Sequence, residues 1–318
     1  MRIEQAVSKP GFARHETFHL RYGWLKKCYD FVKDGNSFHD ESAPVKMGVG
    51  KNMAKSIRFW GLATKIIEYD TERKKKSEFL TPTEFGNFIF DEENGLDPYL
   101  EKSDTAWLLH WNLFAAPTML PVWWILMNEF DVVRSTPEDM LKFVHDRISQ
   151  IGDWKQPNIN SLKKDVDVFI HTYTTGRNKK TTIEDYLDSS FRSMNVIKRS
   201  GVDSSLHFTL GKKLGMSANT ATCICFDFII KRETGSKTIA INTLATEPGG
   251  PGNVLKMDEG NLLSLLHESA TEHPNLFHIQ DVNGTAHLSF ESPPQVCKEK
   301  LQKSIYDSSP ILEARVTT

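Results

Sequence analysis

Three groups of residues in this chain have types and spacings that could do chemistry. The first is His15-Glu16-Thr17-Phe18-His19, which fits H-E-x-x-H. On a helix the two imidazoles would sit one turn apart and hold zinc while the glutamate polarises a water. The further glycine and third histidine of metzincins do not follow, Arg14 and Arg21 edge the segment, and Gly23 comes within a turn. A zinc hydrolase is therefore the weaker reading. A structural or phosphate-facing role for His15, His19 and Arg21 is the stronger one. In a phosphate-facing pocket His15, Glu16 and Arg21 are the candidate catalytic residues, with Arg14 beside them as a candidate DNA phosphate contact. A divalent-metal role for Glu16 stays open.

The second group is Asp165-Val166-Asp167, with His171 one turn beyond Asp167. Nucleases hold magnesium with carboxylates against the scissile phosphate, because the metal neutralises charge and generates hydroxide. Asp165 and Asp167 are accordingly the candidate magnesium ligands. Residues two apart on a helix point about 200° apart, so both reach one ion only where the helix breaks. The plainer reading is a helix surface with i,i+4 pairs, and Asp185 and Asp188 are weaker versions of it. No PD-(D/E)xK, HNH or GIY-YIG pattern is evident.

The third group is cationic. Over Gly48–Lys65, at 100° per residue, Met53, Ile57 and Trp60 share one face, while Lys51, Lys55, Arg58 and Lys65 share the other. One face can dock into a core and the other can lie on a phosphate backbone. Lys51, Asn52, Lys55 and Arg58 are the candidate DNA contacts. The GVGKN at its start is not a phosphate loop: position 45 is Val where the Walker pattern needs Gly, and Asn52 stands where it needs Ser or Thr.

These groups need elements to position them. Tyr22–Lys33 reads as a helix, Asp40 can cap a second through Met47, Gly48 and Gly50 turn the chain, and Lys51–Lys65 is the third. A strand at Ile66–Tyr69, a charged tip over Thr71–Glu78 and a return at Phe79–Leu80 follow. This is the order of a winged helix-turn-helix, with Arg73, Lys74, Lys75 and Lys76 as a DNA-binding wing. Thr105–Asn128 is free of formal charge and holds four of the seven tryptophans, yet Pro117 and Pro121 interrupt it. Two buried helices, near Asp104–Ala115 and Thr118–Phe130, are expected, and no membrane span.

The middle reads as helical. Thr136-Pro137-Glu138 starts one helix, Ser161–Tyr173 forms another, Arg177–Lys180 is a basic loop, and Thr182 caps Ile183–Phe191. Further on, Asn219–Arg232 is apolar, Pro248–Gly252 breaks the chain, and Asp258 starts a leucine-rich helix. Asn283-Gly284 then sits between two alternating runs, a strong hairpin signal. The expected fold is mainly α (α+β with small hairpins). It divides into a winged-helix region with tryptophan-rich helices (1–134), a helical middle (135–200) and a second winged-helix-like region (201–318).

With 318 residues, 39% apolar and 25% charged, the chain has an ordinary soluble composition. A net charge of −2 supplies no global field towards DNA or membrane, so nucleic-acid affinity must come from local patches. The four cysteines form no CxxC pair and the first residues are polar, so a reduced cytoplasmic setting is expected.

Four stretches carry a family resemblance: Phe12–Lys27 (FARHETFHLRYGWLKK), Ala43–Ala63 (APVKMGVGKNMAKSIRFWGLA), Thr105–Trp111 (TAWLLHW) and Pro248–Glu259 (PGGPGNVLKMDE). Together they resemble a bacterial family of uncharacterised domains that accompanies DNA phosphorothioation genes of the Ssp single-strand and phage-defence type. The resemblance implies a protein that binds double-stranded DNA and nicks it with magnesium. A cysteine desulfurase and ATP-dependent sulfur-transfer proteins would be its partners. It transfers no catalytic residue to this sequence. A DNA-binding adaptor without chemistry is the alternative, and the oligomeric state stays open between monomer and homodimer.

Overall fold

The computed structural model describes residues 1–307 except 8, 71–78, 175–188, 190 and 202. The chain is mainly helical with small antiparallel sheets, as expected. The first elements are α1 (Ile3–Ala6), α2 (Trp24–Lys33), α3 (Ala43–Lys46), α4 (Lys51–Ala63), β1 (Ile67–Tyr69) and β2 (Leu80–Pro82). Helix, helix, helix and hairpin thus follow in the predicted order. β1 and β2 pair antiparallel with Ile67 opposite Pro82. The tip carrying Arg73, Lys74, Lys75 and Lys76 lies outside the described residues.

Helix α4 begins after Gly50, with Gly48 at φ +63 making the turn into it. Its predicted apolar face is buried: Ile57 and Trp60 are fully enclosed and Met53 is half-buried. Enclosing a side chain such as Ile57 is worth about 1.5–3 kcal/mol. The helix crosses α2 at close range. A Cβ on Gly61 would stand 2.4 Å from Cys28 Sγ and 2.9 Å from Ile67 Cδ1, so hydrogen alone fits there. Past the last turn Lys65 takes φ +59, and the Ile66 N–H donates back to the Gly61 carbonyl at 3.1 Å. That is a Schellman-type stop, a position glycine usually fills.

Thr83 caps α5 (Glu84–Phe90), and its hydroxyl accepts from the Gly86 N–H. The tryptophan-rich segment forms α6 (Ser103–Phe114) and α7 (Pro121–Asn128), two short buried helices. No described helix is long and apolar enough to cross a membrane. Trp123 is the hub of this core: Trp60 of α4 lies 5.3 Å away between ring centroids, and so does Phe169. His110 is fully buried beside it. Its Nε2 donates to the Val254 carbonyl at 2.9 Å, and its Nδ1 accepts from the Tyr173 hydroxyl at 2.8 Å. Burial pushes its pKa down to about 4.

The middle holds α8 (Pro137–Ser149) and α9 (Ile159–Tyr173). Thr136 and Asp139 cap α8 reciprocally, the predicted start. A short hairpin, β3 (Ile197–Arg199) and β4 (Leu206–Phe208), was not legible, because three-residue strands carry too little alternation. The loop Arg177–Lys180 and most of the helix expected over Ile183–Phe191 lie outside the described residues.

The last part runs α10 (Ala218–Arg232), β5 (Thr238–Ala240), α11 (Ile241–Thr246), α12 (Pro251–Leu255) and α13 (Glu259–Glu272). β6 (Phe277–Val282), β7 (Thr285–Phe290) and α14 (Pro294–Asp307) complete it. Asn283 at φ +54 and Gly284 at φ +81 make the predicted hairpin turn, and β7 also pairs with β5. Among the described residues the buried apolar side chains form one cluster drawn from all three sequence regions.

Candidate nucleic-acid interface

α4 presents Lys51, Asn52 and Lys55 to solvent, because its opposite face is locked into the core. Trp60 anchors it twice: its Nε1 donates to the Phe18 carbonyl at 3.1 Å, and its ring stacks on His15 with centroids 6.2 Å apart. Arg58 departs from the expected free cation. It is half-buried, its guanidinium lies 5.7 Å from the centroid of the Tyr69 ring, and Nη2 is 3.5 Å from the Tyr69 hydroxyl. It joins the helix to β1 at the base of the hairpin.

Lys65 does not belong to the cationic face. Its left-handed backbone turns the side chain inward, where Nζ donates to the Ala115 carbonyl. The helical wheel carries Lys65 onto the outer face only if the helix continues, and it stops at Ala63.

His15–His19 is not helical, so the two histidines do not present one helix face to a zinc ion. The segment is a turn with Ala13, Glu16 and Thr17 at positive φ. His15 is wholly buried, and its Nδ1 accepts from the Thr17 N–H at 3.1 Å. The ring proton therefore sits on Nε2, which donates to Asp165 Oδ1 at 2.7 Å. Asp165 also accepts from the Ala13 N–H, at 3.0 and 3.1 Å to its two oxygens. The candidate catalytic histidine and the candidate metal ligand thus meet, as a buried clasp between the 12–20 turn and α9. Glu16, one residue on, is half-exposed and sits 3.8 Å from Lys55 Nζ. Arg21 covers the rings of Phe18 and Trp24 at 5.6 and 5.4 Å. Arg14 is exposed.

Asp165 and Asp167 diverge, because α9 is unbroken across them. Asp167 points outward and accepts from Lys163 Nζ at 2.9 Å. It lines a cavity of about 320 Å³ with His171, Glu138 and Arg199. Burial lowers the His171 pKa, with Arg192 and Arg199 acting in the same direction against Asp167. Glu138 and Arg199 come from α8 and β3, and no local pattern announces their meeting with Asp167. Among the described residues no group of three His, Cys, Asp or Glu side chains is placed to hold a metal ion. Asp165, turned inward to His15 and Ala13, and the outward Asp167 do not fit a shared magnesium ion. Magnesium keeps near-octahedral oxygen geometry with one or two carboxylates and several waters.

α4 exposes Lys51, Asn52 and Lys55, with Glu16 beside Lys55 and Arg58 half-buried on the same helix, and Arg14 is exposed on the preceding turn. The exposed cations and Asn52 can bind a phosphate backbone by charge and hydrogen bonding.

A comparison with curated proteins finds no match. Two solved structures are similar along nearly the whole chain. A magnesium-ion-bound crystal structure of SspB is 29% identical, with a TM-score of 0.86, over 97% of this chain and 92% of that one. A second crystal structure of SspB gives 29% identity and a TM-score of 0.86, over 98% of this chain and 92% of that one. A family model described as a protein of unknown function (DUF4007) matches residues 12–306, and the chain belongs to that family.

Proposed function

We propose that this protein binds double-stranded DNA in an Ssp-type phosphorothioation and anti-phage system and nicks one strand when magnesium is present. The observation that carries the reading is the likeness to SspB over 97% of the chain at 29% identity. The magnesium ion in that SspB structure motivates the metal requirement. In this reading α2, α3, α4 and the β1–β2 hairpin act as a winged helix. Lys51, Asn52 and Lys55 meet phosphates from α4, and Arg73, Lys74, Lys75 and Lys76 reach DNA from the tip. Arg14 extends the same surface, and Glu16 holds Lys55 in place until phosphate displaces it. Arg21 supports the turn through Phe18 and Trp24. The proposed partners are a cysteine desulfurase and ATP-dependent sulfur-transfer proteins, in the cytoplasm.

His15 and Asp165 take no bond-breaking step in this reading, because they are held by each other and by the Thr17 and Ala13 N–H groups. A second reading follows from that observation: an adaptor that binds DNA and leaves the cutting to another protein. Fluorescence anisotropy with a labelled duplex, titrated with salt, tests the part shared by both. The expected result is a steep loss of affinity with salt. Absence of binding at low salt contradicts both readings. Strand scission by the purified chain separates them.

A further inference from the structure

A second cationic site lies away from the α4 surface, beside Lys65 just past the end of α4, against α6, α10 and α14. Its cavity measures about 620 Å³. Asp227 of α10 is buried at the inner wall, with both oxygens taken. Oδ1 accepts from Lys298 Nζ at 2.6 Å, Oδ2 accepts from Trp111 Nε1 at 2.7 Å, and Lys231 Nζ pairs with Oδ2 as an ion pair at 3.0 Å. One carboxylate therefore faces two ammonium groups. Lys65 brings a third, and the hydrogen bond it makes is to the uncharged Ala115 carbonyl.

Three amines against one carboxylate leave the inner wall short of negative charge. Elsewhere in the cavity lining Glu68, Glu84 and Glu299 are exposed, as is Lys303. Water screens those charges strongly; it screens Lys231 and Lys298 less, since each is only about a quarter exposed against the buried Asp227. Lys65 also occupies a left-handed position that glycine fills without steric cost. A lysine there gains nothing for the helix stop, and its side chain lines the cavity.

We infer that this cavity is a binding site for a small phosphate-bearing anion, seated among Lys65, Lys231 and Lys298. Small size follows from the outer carboxylates: a DNA backbone would have to pass Glu68, Glu84 and Glu299, whereas a single phosphate or diphosphate group fits between them. Burial, followed by the neighbouring Lys231, lowers the Lys65 pKa to about 7, with Asp227 opposing. A bound anion reverses that pressure, so binding draws in a proton. The site is lined by α5, α6, α10 and α14 and by Lys65, which lies just past the end of α4. It stands independently of the DNA reading.

Isothermal titration of the full chain with inorganic phosphate, pyrophosphate and ADP, in two buffers of different ionisation enthalpy near pH 8, tests it. Saturable binding with proton uptake is expected. Tighter ADP than pyrophosphate identifies a nucleotide, and the reverse identifies free phosphates; both support the site. Lys65→Met should abolish proton uptake and weaken binding tenfold or more, about 1.4 kcal/mol. Lys231→Gln, on a partly exposed side chain, should weaken binding several-fold without touching the core. The proposal is overturned if the unmodified protein binds none of the three anions. Unchanged binding in Lys231→Gln, or in a folded Lys65→Met protein, overturns it equally.

Discussion

At the scale of residues, exposure separates side chains that can meet DNA from those that hold the turn. Lys51 and Lys55 stand in solvent on a helix fixed from behind. Changing both to Glu should lower duplex affinity about tenfold or more and reduce the salt slope by about one per lost phosphate contact. Circular dichroism should remain unchanged, because neither side chain enters the core. The His15–Asp165 clasp predicts the opposite behaviour. Asp165→Ala leaves the His15 Nε2–H and the Ala13 N–H without their acceptor, and should cost about 1–3 kcal/mol of stability for each buried group. A urea denaturation midpoint checks this. Lost strand scission with undiminished stability would instead mark Asp165 as part of the cutting site.

His110 adds a pH dependence. Its pKa falls from 6.5 in the unfolded chain to about 4 when enclosed between Tyr173 and Val254. Between those values the unfolded chain holds a proton that the folded one refuses. Stability should therefore decline as pH falls through this window, by up to about 3 kcal/mol. Above pH 6.5 this contribution is complete. Urea midpoints at pH 7, 5.5 and 4.5 would show the decline, and His110→Gln should flatten it.

At the scale of elements, turn and cap signals are legible where they act within a few residues, whereas contacts across the chain are not. Asp40 is the exception among the caps, because α3 starts only at Ala43, with Ser42 at its N-cap and no side-chain cap bond. Thr136, Asp258 and Asn283-Gly284 act within a few residues, so their chemistry is visible in the sequence. The face of α4 carrying Ile57 and Trp60 was legible for the same reason: helical spacing alone places them together. Its last cation was misplaced because the helix ends two residues earlier than the basic run suggests, and Lys65 turns inward. His15 and Asp165 each drew attention by residue type, but 150 residues separate them, and no periodicity reports a contact at that distance. Glu138 beside Asp167, and Lys298 beside Asp227, were hidden likewise.

The crossing of α2 and α4 gives this scale its prediction. Gly61→Ala pushes a methyl group against Cys28 and Ile67. It should destabilise the protein by about 1–3 kcal/mol, although alanine favours helix. A denaturation midpoint at or above that of the unmodified protein would show that α2 and α4 do not pack so tightly.

At the scale of the whole molecule, one buried cluster runs from the N-terminal helices to α14, and Trp123 and His110 lie where its parts converge. In the proposed function DNA on α4 would rest on that packed core, while the second cationic cavity lies beside Lys65, just past the end of α4, against α6, α10 and α14. The overall charge of −2 gives no long-range pull towards nucleic acid, so affinity must depend on the local patch. Under the proposed function this surface serves strand nicking. Supercoiled plasmid incubated with the purified chain, with and without magnesium, tests it most directly. Relaxed circle should accumulate only with magnesium and fall sharply in the Lys51→Glu, Lys55→Glu protein. Supercoiled plasmid that stays intact at every magnesium concentration, while the same protein binds it, would contradict the nickase account and leave the adaptor.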